Sequence, residues 1–85
     1  MILELKYQTD NKIGTKQVTQ GSQYVFEYKT IWIPFENITY AYNEMKDGEG
    51  YIKTISGGGF RLDKESFQKV VKAFKTQALM EKGGV

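Results

Sequence analysis

The side chains most often used for catalysis are missing from this sequence: it contains no histidine and no cysteine. Without them the ordinary zinc, copper, haem and iron–sulfur ligand sets cannot be assembled. A nucleophile would also lack its usual base. Ten carboxylates remain: Glu4, Asp10, Glu27, Glu36, Glu44, Asp47, Glu49, Asp63, Glu65 and Glu81. Paired-carboxylate chemistry needs two of them converging on one site, and no spacing here does that. Glu44, Asp47 and Glu49 could graze a divalent cation, but they lack the EF-hand spacing. The expectation is a chain that is not an enzyme, with no cofactor and no metal.

Two further stretches invite a chemical reading. Gly57-Gly58-Gly59 suggests a phosphate loop, yet neither GxxxxGK[ST] nor GxGxxG is present. The helix expected after it opens on Asp63, whose charge would repel an anion; a turn or bulge is the better reading. On that helix, Lys64, Gln68, Lys72 and Lys75 fall in one broad sector opposite the apolar stripe, with Lys69 near it, and the four lysines make a face able to contact phosphates. The single arginine, Arg61, argues against bidentate or base-edge recognition. Leu79 and Met80 fall off the apolar stripe and are candidates for contact with a partner.

The elements that must position these residues are legible in outline. Eighty-five residues without cysteine form one domain with a thin stability margin. Six Tyr, five Phe and one Trp have to supply most of its core. Residues 2–8 alternate as a half-buried strand, with Leu3, Leu5 and Tyr7 on one side. Thr9 to Lys12 reads as a turn, and Ile13 to Thr19 as a weak edge strand. From Gln23 the apolar residues occupy both parities: Tyr24, Phe26, Tyr28 and Trp32 on one, Val25, Ile31 and Ile33 on the other. The first set is expected to meet the helix; the second set, with Phe35, needs another cover. Pro34 ends this strand.

Residues 38–46 and 51–56 suggest a hairpin around Asp47-Gly48-Glu49-Gly50. A four-residue loop would pair Met45 with Ile52, Glu44 with Lys53, Tyr42 with Ile55 and Lys46 with Tyr51, and is preferred to a two-residue Asp-Gly turn. Asp63 is a good N-cap and Glu65 suits the first turn. Phe67, Val70, Val71, Phe74 and Ala78 then form one stripe, and Gly83-Gly84 a stop. The expected fold is α+β: one antiparallel, strongly curved sheet or partly open barrel of about five to seven short strands over residues 2–62, with a C-terminal amphipathic helix over 63–82.

The run of strands, the Ile33-Pro34-Phe35-x-x-Ile38 step, the strand pair and the capping helix together resemble part of a bacterial PH-like domain. That resemblance, covering residues 23–79, implies a non-catalytic scaffold used for protein or ligand contacts. There is no transmembrane run and no signal-peptide pattern at the start, so a cytoplasmic protein is expected and the Asn37-Ile38-Thr39 sequon has no meaning. The functional expectation is a small protein-interaction module, an accessory, adaptor or inhibitor protein of bacterial or phage type, with a protein partner and a homodimeric state. Trp32, Phe35, Tyr40, Leu79 and Met80 are its candidate contacts. The alternative is a nucleic-acid-binding protein that uses the Lys face of the helix with exposed aromatics.

Overall fold

The computed structural model describes the backbone of residues 1–83 and the side chains of residues 1–77. Five strands, a 3-10 turn and one helix follow in order: β1 (Ile2–Val18), β2 (Gly21–Pro34), a turn at Phe35–Asn37, β3 (Ile38–Tyr42), β4 (Gly50–Thr54), β5 (Gly59–Leu62) and α1 (Lys64–Gly83). All pairings are antiparallel, and the sheet runs β2-β1-β5-β4-β3. It curves without closing. The α+β fold with a C-terminal helix is therefore as expected, with the helix displaced by one residue at each end.

The strands are not all short. Residues 2–8 and 13–19 belong to one strand of 17 residues, not two. The polar cluster around Asp10 is absorbed as irregular register between Gln8 and Gly14 opposite Tyr28 to Val25. Turn-forming residues can be accommodated this way because a bulge adds residues to one strand without ending its ladder. The result is a long β1–β2 hairpin whose far half leaves the body of the protein. The molecule measures 53 × 26 × 18 Å with a radius of gyration of 15.0 Å, against about 12 Å for a compact chain of this length.

In the body, one face of the sheet meets the helix. Leu5, Ile33, Ile38, Ile52 and Leu62 from the strands join Phe67 and Val70 from α1 in a single core. Leu5, Ile52, Leu62 and Val70 are completely buried. The stripe expected on the helix is thus the packed one as far as Phe74; the side chain of Ala78, and Gly84, lie outside what the structure describes. Phe35 stands edge-on to Phe74 at 4.8 Å, and Tyr7 to Phe60 at 5.2 Å.

The parity expected for β2 is reversed in the body. Cross-strand pairing puts Ile33 opposite Leu3 and Ile31 opposite Leu5, so these two face the helix, while Val25 lies in the arm opposite Gly14. Tyr24, Tyr28 and Trp32 are exposed, Trp32 to 64%. Aromatic content alone favoured the wrong face, because register follows the best-covered strand. The β3–β4 register also differs from both two-residue and four-residue turns. Tyr42 pairs with Tyr51, Ala41 with Ile52 and Tyr40 with Lys53, leaving residues 43–49 as a loop. Gly50 explains the shift. It is a buried strand residue on the helix side, where a Cβ would run into the Phe67 ring. The core needs a glycine at that point, and so pulls Gly50 into the sheet and out of the turn.

The helix start is stitched to β1. Asp63 caps it by accepting the Ser66 N–H on its carboxylate at 2.8 Å, and its carbonyl accepts the Phe67 N–H at 2.9 Å. The Ser66 hydroxyl in turn accepts the Lys6 N–H at 2.7 Å, and the Asp63 N–H donates to the Lys6 carbonyl at 3.2 Å. The Gly-rich stretch is a turn at Gly57 and Gly58, with Gly59 already in β5: Thr54 and Gly58 bond across it at 2.9 Å, and Gly57 holds φ at 91°, a conformation that glycine adopts at no steric cost.

Candidate binding surfaces

Three surfaces are left uncovered by this architecture. The first is the arm made by the far half of the β1–β2 hairpin. Every residue from Asp10 to Tyr24 is exposed, and β5 reaches β1 only at Tyr7. Two strands bonded to each other, with no second layer over them among the described residues, leave Ile13, Val18 and Tyr24 in solvent. Lys12 lies 4.1 Å above the Tyr24 ring, one of the few side-chain contacts that brace the arm.

The second surface is the sheet face turned away from the helix. Tyr40 and Tyr42 approach at 5.5 Å, and Tyr42 stacks on Tyr51 at the same distance. Next across the sheet comes Arg61, opposite Tyr51. Its Nε is buried 3.4 Å from Glu49 Oε1 without a well-aligned hydrogen bond, and its Nη2 points at Met45 Sδ, also at 3.4 Å. The Tyr28 hydroxyl donates to that same Glu49 oxygen at 2.8 Å, with Gln8 Oε1 3.2 Å away. Partial burial, then the neighbouring Glu49 carboxylate, push the Tyr28 phenol up to about 12. The loop before Gly50 is set by Asp47, which accepts the Glu49 N–H at 2.9 Å; that bond holds its carboxyl below the usual range. Glu49 is therefore an internal counter-ion, and Asp47 a loop brace.

The third surface is a groove of about 730 Å³ between the start of β1, the Phe35 turn and the second half of α1. Met1, Leu3, Phe35 and Ala73 form its apolar lining, and Lys69 and Lys72 stand beside them. A smaller groove of about 370 Å³ lies on the other side of the helix and brings Tyr40 beside Val71, Phe74 and Lys75.

The candidate residues are dispersed over these surfaces. Trp32 is exposed near the end of β2, away from the arm tip, while Phe35 is half-buried against Phe74. Tyr40 sits at the β3 margin. The side chains of Leu79 and Met80 lie outside the described residues. The four lysines do not share one patch: the Lys64 stem covers Gly48, Lys69 Nζ donates to the Glu4 carbonyl at 3.1 Å, and Lys72 and Lys75 line different grooves. Ser66, Glu49, Leu3 and Ala73 have parts here that periodicity could not assign, since each depends on a neighbour at least twenty residues away in sequence. Among the described residues, no helix is long and apolar enough to cross a membrane. No family model, curated protein or solved structure matches this chain.

Proposed function

We propose that this chain is a non-catalytic protein-interaction module that self-associates as a homodimer, an accessory, adaptor or inhibitor protein working in the cytoplasm on a PH-like scaffold. The observation that carries the reading is the arm. A two-stranded ribbon is marginal in water by itself, and this one holds Ile13, Val18 and Tyr24 exposed with no layer above them. Its strand edges beyond Tyr7 are unpaired on the β5 side, and such edges are templates for another chain. The experiment is sedimentation velocity at micromolar concentration, comparing the wild type with Ile13→Ser, Val18→Ser and Tyr24→Ser combined. The wild type should sediment as a dimer, and the triple variant as a folded monomer. A wild-type monomer that also captures no partner in an arm-dependent way would overturn the reading.

A nucleic-acid reading draws support from one juxtaposition: Tyr40 shares a groove with Lys75 and lies opposite Lys53. Binding of a single-stranded oligonucleotide should then weaken with salt with a slope of about −0.7 per phosphate contact. Lys53→Gln with Lys75→Gln should lower that slope by about 1.4 if each lysine meets one phosphate. Absence of binding at low salt removes this alternative.

A further inference from the structure

The 730 Å³ groove lies at the base of the β1–β2 hairpin, at the opposite end from the arm tip. Its size falls in the range of about 300–1,000 Å³ usual for small-molecule sites, which are mostly apolar with a few fixed polar groups. The apolar part comes from Met1, Leu3, Phe35 and Ala73. The charged side chains of the described lining are Lys69 and Lys72 on the helix, three residues apart and so on one side of it; the Met1 ammonium is already paired with Glu36 Oε1 at 3.3 Å. Lys69 is already anchored, because its Nζ donates to the Glu4 carbonyl at 3.1 Å. An ammonium has three donors, so two remain to be offered to a ligand. Among the described residues, none that lines the groove is acidic.

We propose that this groove binds a single-chain anionic amphiphile, a long-chain carboxylate of the fatty-acid class. Its head group would sit between Lys69 and Lys72, and its chain along Leu3, Phe35 and Ala73. Charge complementarity selects the anion, since a neutral chain would leave two ammonium groups without a counter-ion at the edge of an apolar trough. Two ammonium groups side by side at the edge of one apolar trough suit one anionic head group with one chain. The site is separate from the arm, so its fate does not depend on the interaction reading.

The test is a chemical-shift titration of the whole chain with octanoate, decanoate and dodecanoate below their micelle concentrations. Dodecyltrimethylammonium serves as the cationic control. Saturable shifts should appear at Leu3, Phe35 and Ala73, and affinity should rise about fourfold for each added methylene that is buried. Lys69→Glu with Lys72→Glu, both exposed positions, should weaken dodecanoate about tenfold or more, the worth of a charge-assisted contact. Thr76→Trp should block the groove with both charges in place. Affinity that ignores chain length, equal binding of the cation, or shifts located elsewhere would overturn the proposal. So would protein that pellets with anionic phospholipid vesicles yet ignores dodecanoate, or that takes an acidic peptide in this groove in its place.

Discussion

The arm and the body are built from the same two strands, and their contrast shows what a hydrogen-bonded ladder does and does not supply. From Leu3 to Tyr7, one face of β1 packs into the core beneath the helix while the strand is bonded to β2, with Leu5 fully buried. Past the irregular stretch between Gln8 and Gly14, the same strand pairs again with β2 as far as Val18 but has no cover. A backbone hydrogen bond contributes only about 1 kcal/mol net once exchange with water is counted. Burial of a Leu or Phe side chain contributes about 1.5–3 kcal/mol. The body is therefore held by its second layer, the helix, whereas the arm is a ladder without one.

The largest expected effect would test the body. Phe67→Ala removes the ring that fills the space over Gly50, and should cost about 3–5 kcal/mol in denaturant unfolding. A cost under 1 kcal/mol would mean that the helix does not organise the sheet. Gly50→Ala asks the same question from the other side. Its methyl would collide with the Phe67 ring, and overpacking of this kind costs about 1–3 kcal/mol. Asp63→Ala leaves the Ser66 N–H without its cap and should cost about 1 kcal/mol, measurable as a shift of the unfolding midpoint at unchanged slope.

The joint between the regions can be probed by pH. Tyr28 ties β2 to the loop before β4 through Glu49. Its phenol keeps its proton to about 12, against an ordinary value of 10.0, so the folded state favours the protonated form. The stabilisation is fully present below pH 10 and is lost as pH rises from there through 12. Phenolate absorbance should show a late phase that Tyr28→Phe removes. The smallest effect belongs to the arm. Ile13→Ser should change the stability of the monomer by no more than about 0.5 kcal/mol, and arm amides should exchange far faster than those of Leu5 and Ile52. Strong protection of the arm at low protein concentration would contradict the comparison.

The sequence by itself determined the elements whose signals are local. The helix was legible from Asp63 and the Phe67–Val70–Val71–Phe74 spacing, and the Gly57 turn from its glycines. Leu3, Leu5 and Tyr7 shared a face because alternation on a strand is a property of neighbours. Tertiary structure alone decided which face of β2 is buried, since Tyr24, Tyr28 and Trp32 offered at least as much area for burial as the aliphatic set beside them. Pairing of β2 with β1 settled it by placing Ile31 and Ile33 beside Leu5 and Leu3. The same holds for the β3–β4 register, which Gly50 and Phe67 fix across seventeen residues of chain. It holds also for the groove, whose walls come from Leu3, Phe35 and Ala73. Periodicity records where a side chain points relative to its neighbours; what it meets there depends on residues far along the chain, and only folding brings those together.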